Sequence, residues 1–141
     1  LVFIKLGINL VEQVSIPIWR GFLASFYGGI SEEIIMRLFF MTFILWLISK
    51  FNKSKDTIVK NNLLVWSAII ISSILFGLGH LPITATLTTL TPLVIVRALL
   101  LNGVGGLVFG WLYWKKGLES AMIAHFSADI MIHVIFSYLV S

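Results

Sequence analysis

The chain has no cysteine. That removes disulfides, thiolate nucleophiles and Cys-ligated zinc from consideration, and leaves the redox compartment open. Charge is scarce as well: only 11% of the 141 residues are Asp, Glu, Lys or Arg, against about 25% in a soluble domain. With 59% hydrophobic residues, a water-soluble fold of this size could not hide its apolar surface. The formal charge of +4 is too small and too scattered for nucleic-acid binding, and reads instead as topology signal plus attraction to anionic lipid headgroups. There is no HExxH, no internal repeat and no low-complexity tail. A charged n-region followed by a small-residue cleavage site is also missing, so no separable signal peptide is expected. The first residue is Leu1 rather than Met; the expectation is a single membrane-embedded domain, 1–141, lacking some N-terminal sequence.

What the chain does have is long uncharged runs. A membrane-crossing helix needs roughly 20 mostly apolar residues. Spans are predicted over Gly7–Gly28 (interrupted by Glu12, Pro17 and Arg20), Ser31–Lys50, Asn62–Gly79, Thr91–Trp114 and Leu118–Val140. The fold class is therefore all-α, a polytopic transmembrane bundle of about five helices. Lys50, Lys53, Lys55 and Lys60, with one Asp56 among them, mark a solvated loop, and Lys115-Lys116-Gly117 a basic turn. Alternating spans put both on one face, cytoplasmic by the positive-inside rule, and the uncharged stretch from His80 to Pro92 on the other. Gly106 and Gly110 have small-xxx-small spacing suited to helix packing. Trp111, Tyr113 and Trp114 beside Lys115 suit an interfacial aromatic belt, and Asn102 a helix–helix hydrogen bond.

An ionisable side chain inside a membrane span is costly unless paired or wetted, so each is a functional-site hypothesis. Three groups stand out. In Glu32-Glu33-Ile34-Ile35-Met36-Arg37, Glu33 and Arg37 are four apart and can form an ion pair on a helix. Glu32 is then rotated away and left unpaired, the state that suits a general base. The structural alternative is a helix start, with Ser31 as N-cap and acids in the first turn. In Phe76-Gly77-Leu78-Gly79-His80-Leu81-Pro82 a histidine closes an apolar helix; the alternative is an interfacial terminus with the ring bonded to the last carbonyls. His125 and Asp129, well inside the last span, lie one turn apart on one face, a pairing hard to explain by structure alone. His133 extends that stripe and is assigned to packing or wetting.

These residues resemble the three motifs of the CAAX-protease and bacteriocin-processing (CPBP, or ABI) family of membrane peptidases. The motifs are Glu32-Glu33-x-x-x-Arg37, Phe76-x-x-x-His80 and His125-x-x-x-Asp129, in order and each on its own helix; the lead-in Lys116-Gly117-Leu118-Glu119-Ser120-Ala121 is similar too. The resemblance runs from Glu32 to Asp129. It implies a metal-free, glutamate-dependent intramembrane endopeptidase, a hydrolase with no cofactor. By motif position, Glu32 and His80 would activate water, Glu33, Arg37 and Phe76 would support the site, and His125 with Asp129 would face the oxyanion. Many members carry Asn where this chain has Asp129, and an ionised Asp cannot donate to an oxyanion. The i,i+4 spacing favours a role for Asp129 in orienting His125.

The expected partners are the lipid bilayer and a peptide or protein substrate reached from it: CAAX-type, or in a bacterial cell membrane a bacteriocin or pheromone precursor, with self-immunity a related outcome. One rival is a zinc peptidase with Glu32, His80 and His125 as ligands and water in the fourth position. The other is a non-catalytic immunity or peptide-binding protein, or a proton-coupled carrier, although a carrier of so few helices without an inverted repeat is unusual.

Overall fold

The computed structural model describes residues 17–51 and 61–140. Glu12, and Lys53, Lys55, Asp56 and Lys60 of the basic loop, lie outside them. Among the described residues, four helices are long and apolar enough to cross a membrane: Ile18–Phe51, Asn62–Leu87, Pro92–Lys116 and Leu118–Ile135.

The first of these, α1, is a single run over Ile18–Phe51. The break expected between Gly28 and Ser31 does not occur. Instead the helix passes through two π-helical stretches, Tyr27–Glu32 and Ile34–Met41, with Glu33 between them in ordinary helical conformation (φ −68°, ψ −37°). Ser31 is therefore mid-helix, and the helix-start account of the two glutamates falls away. Gly28 and Gly29 do not end the helix; they let it approach another. A Cβ on Gly29 would come within 2.8 Å of the Phe126 Cβ, a contact only glycine avoids.

Asn61 caps α2 (Asn62–Gly79), its side-chain oxygen accepting from the Leu63 N–H at 3.0 Å. The chain turns at His80 and resumes as the short α3 (Leu81–Leu87), with Pro82 in its first turn. There a missing N–H costs nothing, so Pro82 opens a helix as well as closing a span. Thr91 caps α4 (Pro92–Lys116), with Pro92 at its first position and Lys115 and Lys116 in its last turn, where cations complement the helix dipole. Gly117 (φ 96°) makes the sharp turn into α5, a left-handed position that favours glycine. α5 begins as Leu118–Asp129 and continues through a π-helical stretch, Ile130–Phe136, to Ser137–Val140.

The helices close into a ring: α1 packs on α2, α2 on α4, α4 on α5, and α5 back on the N-terminal half of α1. The α2–α4 pair is antiparallel, with Gly110 against Ile69 and Gly106 against Ser73. Asn102 does not bridge helices; its side-chain amide donates to Ala98 O of its own helix at 2.9 Å. Near the basic turn the interior is apolar, built from Met41, Val65, Ala68 and Ile69 with Leu107, Tyr113 and Trp114 around them. Lys115 extends over Trp114, its Nζ 3.5 Å from the ring centroid, the arrangement expected of an interfacial belt. Farther along the bundle the buried side chains turn polar: Glu33, Arg37, Ser72 and His125. Large apolar side chains such as Leu63, Leu100, Leu101 and Ile123 point outward, as a lipid solvent requires.

Candidate active site

The polar interior begins with a pair on α1. Arg37 Nε donates to Glu33 Oε2 at 2.9 Å and Nη2 to Oε1 at 3.5 Å. Both side chains are fully buried. A third donor, Nη1, reaches Ser72 Oγ on α2 at 3.4 Å, and the guanidinium lies 5.6 Å from the Phe76 ring. The expected pairing of Glu33 with Arg37 is present, and it ties α1 to α2.

Glu33 has a second partner. His125 Nδ1 lies 2.9 Å from Glu33 Oε1. A carboxylate accepts, so Nδ1 carries the hydrogen and donates it. His80 is fixed in the same sense: its Nδ1 is 2.8 Å from the Phe76 carbonyl oxygen, which can only accept. In both rings the inner nitrogen is committed to the protein, and Nε2 is left for chemistry.

The two Nε2 atoms face one carboxylate. Glu32 Oε2 is 3.8 Å from His80 Nε2 and 3.9 Å from His125 Nε2, while Asp129 Oδ2 is 3.6 Å from His125 Nε2. Each distance exceeds a direct hydrogen bond and fits groups that share a small polar molecule between them. Burial grades across the cluster: Glu33 is fully enclosed, Asp129 is 18% exposed, and Glu32 and His80 are 25% and 27% exposed. The i,i+4 neighbour Asp129 lies beside Nε2 of His125, while Glu33 takes the shorter contact at the other nitrogen. Glu32, His80, His125 and Asp129 thus converge, with Glu33, Arg37 and Phe76 behind them. Among the described residues, no group of three or more His, Asp or Glu side chains has the geometry to hold a metal ion.

A family model described as "Type II CAAX prenyl endopeptidase Rce1-like" matches residues 14–131. The chain belongs to the Rce1-like family. Membership makes it a multi-pass membrane protein and a protease of the CAAX intramembrane endopeptidase type. No curated protein and no solved structure shows significant similarity to it.

Two members of this cluster were not anticipated. Ser72 completes the partners of Arg37 and also donates to Ile69 O at 3.0 Å; a lone serine in an apolar run carries no distinguishing signal. Phe109 of α4 stacks on the His125 ring, with centroids 4.6 Å apart and planes at 16°. It is the first aromatic residue of α4, which is the one cue the sequence offers. With it, all four long helices contribute to the site, where three were expected.

Proposed function

We propose that the chain hydrolyses a peptide bond in a membrane-associated peptide or protein, using water activated by Glu32 and His80 without a metal. The observation that carries this reading is the approach of the two Nε2 atoms to Glu32 Oε2, at 3.8 and 3.9 Å, with both Nδ1 atoms already spoken for. A water held there would donate one hydrogen to Glu32 and the other to His80 Nε2, leaving a lone pair free for a carbonyl carbon. As its oxygen attacks, Glu32 takes the proton and later returns it to the departing amine. His125, protonated at both nitrogens, would donate from Nε2 to the oxyanion, and Asp129 beside that nitrogen would offer the counter-charge.

A zinc-dependent reaction through Glu32, His80 and His125 is less well supported. Ligand atoms at about 2.0–2.1 Å from a tetrahedral zinc lie about 3.4 Å apart, so Glu32 Oε2, at 3.8 and 3.9 Å from the two Nε2 atoms, would have to close on each by roughly half an ångström. The substrate class is a CAAX-type or bacteriocin- or pheromone-like membrane peptide. The Lys115-Lys116 turn marks the cytoplasmic face of a bacterial cell membrane by the positive-inside rule.

The test is cleavage of a broad library of lipidated and unlipidated peptides by the protein in liposomes, for wild type, Glu32→Gln and His80→Ala, each with and without chelator. Cleavage that survives chelator, with each substitution costing about 10²–10⁴-fold in rate, is the expected result. Loss on chelation with recovery on added zinc would replace this mechanism by the metal-dependent one. A folded wild type that binds peptide and never cleaves it would leave a binding or immunity role.

A further inference from the structure

The catalytic scheme asks His125 to present Nε2 in a fixed direction, and a single hydrogen bond at Nδ1 does not achieve that. A ring held at one nitrogen can still swing about that bond, carrying the opposite nitrogen with it. The structure supplies two further restraints on the ring. Phe109 lies parallel to it at 4.6 Å, and Phe76 stands edge-on at 5.5 Å and 87°. Phe109 is itself nearly fully buried. Its ring passes close over Gly105 of its own helix, where a Cβ would come within 3.4 Å of Cε2. On the working side of the imidazole, Gly28 leaves room, since a Cβ there would lie 3.2 Å from His125 Nε2.

We propose that Phe109 is a positioning residue that acts through His125: its stacked ring holds the imidazole plane so that Nε2 points at Glu32 and Asp129. This rests on the peptidase reading above. A parallel aromatic face also attracts the imidazolium that His125 forms when it faces an oxyanion. Phe109 touches none of the reacting atoms, so its effect falls on the transition state and spares substrate binding. Removing the flat face while keeping volume should lower kcat and leave KM alone.

The experiment compares Phe109→Met and Phe109→Leu, which keep apolar bulk, with Phe109→Tyr, which keeps the ring. Each is measured for kcat, KM and Tm, and for its ¹⁵N-histidine spectrum, the His125 signals being those missing from His125→Gln. Expected is a fall of about tenfold to a hundredfold in kcat for Met and Leu, since small misplacements of a reacting group have such effects. KM should not change, Tm should move by a few degrees at most, and Tyr should stay near wild type. The His125 ring signals should shift in Met and Leu and hold in Tyr. The proposal is overturned if Met and Leu keep wild-type kcat, or if Tyr falls as far as they do. If wild type cleaves nothing, the peptidase reading fails separately, and the spectra decide alone: shifted His125 signals uphold the positioning contact, unshifted ones overturn it.

Discussion

Replacing Arg37 by methionine removes one end of a charge pair that has no access to solvent. Glu33 would lose the 2.9 Å bond to its Oε2 and the 3.5 Å contact to its Oε1, keeping only the His125 N–H at 2.9 Å. One carboxylate oxygen would then be buried without a partner. Ser72 would lose the Arg37 donor but keep its own bond to Ile69 O, so its share of the loss is small. Breaking a buried pair from one side costs about 3–5 kcal/mol, which is more than a hundredfold in the folded-to-unfolded ratio at about 1.4 kcal/mol per tenfold. Neutralising the other end as well, in the double variant Glu33→Gln with Arg37→Met, removes the stranded charge and should recover most of that loss. The substituted amide would still offer its oxygen to the His125 N–H. The assay is equilibrium unfolding in mixed micelles against a denaturing detergent, followed by tryptophan fluorescence. A loss under about 1 kcal/mol for Arg37→Met, or a double variant no more stable than the single one, would refute the claim that breaking this buried pair strands a charge.

Two other substitutions probe the helix contacts. Gly28→Ala places a methyl against the Asp129 carboxylate and 3.2 Å from His125 Nε2; cleavage should drop at least about tenfold, read as initial rate on the best library peptide. Gly106→Val pushes on Ser73, where even a Cβ would lie 2.9 Å from Ser73 Cβ, and should cost about 1–3 kcal/mol of stability as overpacking does. Gly103→Ala, with nothing within 4 Å of the added carbon, is the control and should not lower the unfolding midpoint.

Much of the site is readable from the sequence because its groups are rare. In a chain with so few charges, Glu32, Glu33, Arg37, His125 and Asp129 stand out by their cost in lipid, and the i,i+4 spacing of Glu33 and Arg37 predicts their bond. Spacing tells only part of the story at Asp129. It shares a helix face with His125, but the ring's inner nitrogen points to Glu33, ninety-two residues away in sequence, and a contact that distant leaves no local periodicity. Phe109 escapes for a related reason, since an aromatic side chain in a membrane span looks the same whether it faces lipid or a histidine. The sequence reading of the fold departs most at α1. Gly28-Gly29 reads as a terminus because glycine breaks helices in water, whereas in lipid the unpaired backbone of a break is the costlier choice, and the glycines serve close packing.

The pairing of Glu33 with Arg37 within one helix also bears on how the protein is made. A charge entering the bilayer alone costs about 2.5–3.5 kcal/mol at the centre of an inserting helix. Here the two charges arrive four residues apart on the same segment and can neutralise each other before α2, α4 or α5 exists. The partners they later gain, Ser72 on α2 and His125 on α5, emerge from the ribosome afterwards, the histidine last. The newly inserted chain is therefore tolerable to the membrane early, and the candidate site is assembled only once α5 docks.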